Sequence, residues 1–308
     1  VKIVFMGTPD FAVPTLARLA ESPHEILAVV TNPDRPKGRG RKLTAPPVKE
    51  KALELGLPVL QPTSTKEPQL REAVEALAPD LFVVVAFSIL PRCLLAVPRL
   101  GSVNLHPSLL PAYRGAAPIV WAIVNGEMET GISTFLLNPR VDAGDILLQR
   151  RVSISPDETA GELEARLCPI GAEMVVETVD GLEDDSLKGQ PQKQGGVTRA
   201  PKLEKEDGRI NWQHEASRIR NLVRGLNPFP GAFTTWQGQS LKIHRAQLAD
   251  GKGAPGSILR ADPRVGLVVA CGEGALLLEQ VQPAGKAAMQ GTAFLLGNPV
   301  EVGAELGS

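Results

Sequence analysis

The run Leu81-Phe-Val-Val-Val-Ala86 constrains this chain more than any other feature. Six apolar residues in succession leave neither face of a strand polar, so both faces must be covered, as in a central parallel strand flanked by helices. A parallel neighbour needs a crossover of a dozen or more residues. The first half supplies such crossovers repeatedly: apolar runs at 2–6, 26–31, 57–60, 81–86 and 103–105 alternate with helical patterns near 13–21, 48–55, 69–77 and 119–125. The expected architecture is α/β, a Rossmann-like, doubly wound, mostly parallel sheet, in which ligands bind beyond the carboxyl ends of the strands.

The rest of the chain changes character. Between 157 and 185 ten acidic residues face the single basic Arg166, and Leu163, Leu167, Ile170, Met174 and Val175 recur at helical spacing. That pattern is a long amphipathic helix with a solvated acidic face. The stretch 188–208, rich in Gly, Gln, Pro and Lys and without periodicity, reads as a linker. After a helix near 215–224, short strands near 232–236, 240–246, 267–271 and 275–280 are separated by Gly and Pro, which predicts a smaller OB-like β-barrel. With 308 residues, 43% of them hydrophobic, there is material for two cores. The expected division is a domain at 1–187, a linker at 188–208 and a second domain at 209–308.

A formal net charge of -1 conceals an uneven distribution. From 209 to 260 eight Lys/Arg meet two carboxylates, and a barrel with a basic face is a common platform for nucleic acid. The segment 34–42 packs Arg35, Lys37, Arg39, Arg41 and Lys42 around two glycines with one carboxylate, which suits a loop that orders on a phosphate backbone. Three scattered cysteines without CxxC spacing argue against disulfides and a zinc-thiolate site, so no metal and a reducing, cytoplasmic setting are expected. No leader pattern opens the chain, and no apolar run reaches the ~20 residues of a membrane span. Where a dinucleotide fold would carry GxGxxG, Gly7-Thr8-Pro9 puts a proline at the second glycine, and no GxxxxGK[ST] occurs.

The residues richest in chemistry are Val103-Asn104-Leu105-His106-Pro107-Ser108-Leu109-Leu110-Pro111. Asn104 and His106 stand two apart at a strand end, so their side chains share a face. An amide and an imidazole aimed together can stabilise an oxyanion and move a proton. Further on, Val141-Asp142-Ala143-Gly144-Asp145 places a carboxylate before a glycine turn, a placement that backbone geometry alone also favours.

The order N-x-H-P-S-L-L-P, about thirty residues, then D-A-G-D-I-L resembles the folate-dependent formyltransferase family, with Asn104, His106 and Asp142 matching its catalytic trio. Gly7-Thr-Pro-Asp-Phe-Ala12 resembles that family's first turn. Pro33 to Leu43 resembles the basic loop of the branch acting on methionyl-tRNA, and Leu226-Asn-Pro-Phe-Pro-Gly231 and Gln282-Pro-Ala-Gly-Lys286 resemble its C-terminal domain. The resemblance implies transfer of a formyl group from 10-formyltetrahydrofolate to the methionine amine of initiator methionyl-tRNA, without a metal or a membrane and as a monomer. It places Phe87, Ser88, Ile89 and Leu90, with Ser108, Leu109, Leu110 and Pro111, beside the folate. It assigns tRNA binding to the five cations of the loop and to Arg218, Arg220, Arg224, Lys242 and Arg245. A glycinamide ribonucleotide formyltransferase would leave about 100 C-terminal residues unexplained, a sugar-nucleotide formyltransferase would have less use for the basic loop, and a non-catalytic RNA-binding module would not need the trio.

Overall fold

A computed structural model describes residues 1–37 and 42–307. Its larger sheet has seven strands in the spatial order Ile146–Ser153, Glu129–Leu136, Ser102–His106, Leu81–Val85, Lys2–Gly7, Glu25–Val30 and Val59–Leu60. The five strands from Ser102–His106 to Val59–Leu60 pair in parallel, and Glu129–Leu136 runs antiparallel to Ser102–His106. Leu81–Val85 is buried along its whole length, as its two-faced apolar run requires. Burying a Phe82 or Val83 side chain contributes about 1.5–3 kcal/mol each, which fixes this strand at the sheet's centre.

Helices Val13–Ala20, Pro47–Glu54 and Pro68–Ala76 lie in the connections between parallel strands, and Pro118–Val124 precedes the antiparallel strand. Each carries proline in its first turn, where the missing N–H would have no intrahelical partner and the fixed φ suits the helix. The acidic amphipathic segment forms the helix Ala160–Glu183, with Pro169 inside it. Two short strands, Arg35–Lys37 and Lys42–Thr44, pair antiparallel at the base of the basic loop.

The chain divides into two compact units. The first comprises Val1–Gly115, Thr130–Ser153 and Glu164–Ala200; the second comprises Ala116–Glu129, Ile154–Leu163 and Pro201–Ser308. The second unit is built on an antiparallel sheet in the order Ala232–Trp236, Gln239–Ala249, Ala275–Pro283, Gly266–Ala270 and Ile258–Asp262, with Met289–Gln290 also on Ala275–Pro283. Gln237 and Gly238 both take positive φ, the geometry of a two-residue hairpin turn. Ile219 and Val223 from helix Ala216–Gly225 and Phe294 from helix Gly291–Gly297 pack on the sheet's Ile243, Val269 and Leu278. Strand Ile258–Asp262 escapes the sequence pattern because Ile-Leu-Arg-Ala-Asp neither alternates nor carries a β-branched run.

Part of the stretch expected as a linker is bonded into the first unit. Gln190 exchanges two backbone hydrogen bonds with Ile146, each of 2.8 Å. Arg199–Ala200 pairs in parallel with Arg114–Gly115.

Candidate active site

Strand Ser102–His106 lies between Leu81–Val85 and Glu129–Leu136 and ends at the edge where a doubly wound sheet binds ligands. Its register sets Asn104 opposite Val84 and Phe135, and His106 opposite Ser133. The His106 ring is 5% exposed and stands edge-on to Phe135, with centroids 6.5 Å apart. Its Nε2 lies 2.9 Å from the carbonyl oxygen of Tyr113. A carbonyl only accepts, so Nε2 carries the hydrogen, and the neutral ring keeps its lone pair on Nδ1. Nδ1 is 3.8 Å from Asp142 Oδ2. Burial pushes the pKa of His106 below its ordinary value; the Asp142 charge and the Tyr113 carbonyl oppose that shift without reversing it.

Asp142 sits in the left-handed region, at φ 48°, which aspartate tolerates better than most residues. Its Oδ2 accepts the Gly115 N–H at 2.8 Å. The same turn is clamped from the first unit's last segment: Gln192 Nε2 donates to the carbonyls of Asp142, at 2.9 Å, and Gly144, at 2.8 Å. Gly144 has no room for a side chain, because a Cβ would lie 1.6 Å from the Leu136 carbonyl oxygen. Ala86 and Tyr113 also take left-handed backbone, so strained conformations gather around the site. Tyr113 is fixed through its N–H, which donates to Thr198 Oγ1 at 2.8 Å. Gln192 and Thr198 lie in an aperiodic stretch that gives a sequence reader no signal of this role.

Asn104 and Asp142 face an open cleft, whose walls include Phe87, Ser88, Ile89, Leu90 and residues 137–141. Ile89 is 73% exposed there, an apolar side chain in want of cover. Two of the expected groups lie off this wall. His106 stands behind Asp142, and residues 108–111 are tied to the neighbouring strands instead. The Leu110 N–H donates to Ser133 Oγ at 3.1 Å, Ser133 Oγ donates to the Ser108 carbonyl at 2.6 Å, and Gln149 Nε2 reaches both the Leu110 carbonyl and Ser133 Oγ at 2.9 Å.

The expected cations are dispersed. Arg35, Lys37 and Lys42 stand on the paired strands at the loop's base, while Arg39 and Arg41 lie outside the described residues. Asp34, the carboxylate of that segment, is taken by Gln61 and by Lys49, each at 2.8 Å, and these bonds hold its pKa down. In the second unit Arg218 is exposed. Arg220 pairs with Asp157, Arg245 with Glu162, and Lys242 donates to the Pro230 carbonyl at 2.8 Å. Arg224 is buried and donates to Asn221 Oδ1 at 2.9 Å and to the carbonyls of Ser155 and Glu158. Among the described residues, metal-ligand spacing occurs at His24, Asp180 and Glu183, none of which lines the cleft, and no helix is long and apolar enough to cross a membrane.

An amide on the cleft wall beside a carboxylate backed by a neutral imidazole suits a group-transfer enzyme that stabilises an oxyanion and accepts a proton. The chain belongs to the formyl transferase family: the formyl transferase model matches residues 1–179, and the model of the formyl transferase C-terminal domain matches residues 202–299. It is 49% identical over 306 residues to the methionyl-tRNA formyltransferase of Geobacter metallireducens, covering 99% of this chain and 98% of that protein. To the methionyl-tRNA formyltransferase of Geobacter sulfurreducens it is 47% identical over 307 residues, covering 99% and 96%. Its fold is shared by the N-formyltransferase of Helicobacter canadensis, at a TM-score of 0.68 and 17% identity over 93% of this chain and 100% of the other. The methionyl-tRNA formyltransferase of Clostridium thermocellum superposes with a TM-score of 0.56 at 18% identity, covering 82% and 95%.

Proposed function

We propose that this chain transfers the formyl group of 10-formyltetrahydrofolate to the amino group of methionine on initiator methionyl-tRNA. The observation that carries the chemistry is the buried His106, with its Nδ1 turned to Asp142, behind a cleft that Asn104 also lines. The methionine amine attacks the formyl carbon, and the carbonyl oxygen gains negative charge. The Asn104 amide N–H donates to that oxygen. The attacking nitrogen must lose a proton, and His106 Nδ1 and the Asp142 carboxylate are the acceptors closest to hand. Once Nδ1 is protonated, the imidazolium is stabilised by Asp142, and its Nε2–H stays on Tyr113. As the bond from the formyl carbon to the folate N10 breaks, N10 takes the proton, so the protein ends as it began and no metal takes part.

The pteridine lies in the cleft beside Phe87, Ser88, Ile89 and Leu90, while Ser108, Leu109, Leu110 and Pro111, off that wall, brace the neighbouring strands. In this reading residues 1–187 carry the chemistry, 188–208 connect while Gln192 and Thr198 brace the site, and 209–308 bind tRNA. The tRNA acceptor end is held by the loop cations Arg35, Lys37, Arg39, Arg41 and Lys42, and the body by the exposed Arg218 with Arg220 and Arg245, whose carboxylate partners the RNA displaces, while the buried Arg224 and the carbonyl-bound Lys242 hold the scaffold. The close full-length relatives named for methionyl-tRNA support this choice of acceptor. A formylation assay with purified protein tests it: turnover with methionyl-tRNA and 10-formyltetrahydrofolate is expected, and a preference for an amino-sugar nucleotide or a free glycinamide would sink it.

A further inference from the structure

Behind the Asp142 turn lies a second open cavity, of about 410 Å³, walled by Arg114, Arg140, Lys193, Gln192 and Asp145. It holds three cations against one carboxylate. Among the described residues none of the three cations forms an ion pair. Arg114 is the telling member. One guanidinium nitrogen, Nη2, is fixed on Gln192 Oε1, yet the Nε–H is buried and has no acceptor. A buried guanidinium donor left unpaired is costly and marks a place where an acceptor belongs. Arg140 lines both this cavity and the cleft of Asn104 and Asp142, so the two sites adjoin.

We infer that this cavity is an anion subsite that receives a backbone phosphate of the substrate RNA next to its aminoacylated end. The inference rests on the reading under Proposed function, where the amine is brought to Asp142 by the terminal nucleotide that carries it. An amine at Asp142 sets the phosphates of that strand close by, and guanidinium and ammonium groups are the usual partners of phosphate oxygens. The folate cleft lies on the other side of the Asp142 turn, beside residues 87–90, which favours RNA over the donor as the source of the anion. Gln192 then has two roles at once, because the side chain that orders Arg114 for the phosphate also holds the turn carrying Asp142.

Lys193→Gln and Lys193→Glu test the subsite, since Lys193 is exposed and touches neither the trio nor the folate cleft. Lys188→Glu, a charge reversal at an exposed lysine outside the cavity, controls for general repulsion of RNA. KM for methionyl-tRNA should rise about threefold in Lys193→Gln and about tenfold in Lys193→Glu, with the salt slope of binding reduced by roughly one unit. Methionyl-adenosine, which has the amine and no phosphate, should be used equally by all forms, and KM for the folate should not move. Affinity for a short single-stranded RNA trinucleotide, measured by calorimetry without turnover, should fall in Lys193→Glu and hold in Lys188→Glu. Equal trinucleotide affinities, an equal loss on methionyl-adenosine, a rise in folate KM, or an equal effect of Lys188→Glu would each overturn the subsite. A wild-type protein that binds the trinucleotide in this lysine-dependent way but formylates no methionyl-tRNA would instead overturn the acceptor assignment.

Discussion

The basic groups expected to meet RNA in the second unit are used differently from those around the first unit's site. In the second unit Arg220 and Arg245 pair with Asp157 and Glu162, Arg224 is buried on carbonyl oxygens, and Lys242 caps the Pro230 carbonyl. Around the first unit's site Arg114, Arg140 and Lys193 have no carboxylate partner among the described residues, and the loop's own Asp34 is occupied by Lys49 and Gln61. At these positions of the second unit positive charge is largely spent on the scaffold; around the first unit's site it faces open space. A count of lysines and arginines along a segment therefore overstates the charge available to a polyanion wherever the fold supplies carboxylates from elsewhere in the chain.

The largest effect expected is on the frame that the first unit's charges surround. Asn104→Ala, His106→Ala and Asp142→Asn should each lower formyl transfer by roughly 10²-fold or more while leaving the circular dichroism spectrum intact. Near-normal turnover in any folded variant would remove that residue from the mechanism. Next, Gln192→Leu should cut kcat about tenfold, because loss of two hydrogen bonds frees the Asp142 turn and a displacement of about 1 Å is enough to cost that much. Steady-state kinetics check it, and an unchanged kcat would show that Gly144 and Gly115 hold the turn alone.

The difference in charge use is tested directly by two sets of neutralised cations. Replacing Arg39, Arg41 and Lys42 with Gln should raise KM for methionyl-tRNA and flatten its salt dependence by roughly one unit per lost phosphate contact, with folate KM unchanged. Replacing Arg220 and Arg245 should raise that KM less, and should lower stability by about 0.2–1 kcal/mol per exposed pair in chemical denaturation. If the paired arginines proved as important for tRNA as the loop, the contrast would fail.

The smallest effect concerns pH. Burial depresses the His106 pKa, so the acid limb of kcat/KM should lie below the ordinary histidine value of 6.5. Because protonation then favours the unfolded chain, stability from this residue is full above 6.5 and is lost as pH falls from there through the folded value. Asp142 raises the His106 pKa, so Asp142→Asn should move the residual acid limb to still lower pH; a move upward would mean that the Asp142 charge does not raise that pKa.

The sequence by itself determined the layered architecture and the chemistry-bearing strand end. Leu81 to Val85 could only be a strand covered on both faces, and Asn104 and His106 had to share a side of their strand, because period and polarity are local properties of the chain. Tertiary structure alone decided which partners those residues meet. The carboxylate that pairs with Arg245 comes from 83 positions away, and the amide that clamps Asp142 from 50, in a stretch with no periodicity to mark it. Hydrogen-bond and ion-pair partners are chosen by proximity in the folded chain, and no window along the sequence contains that proximity.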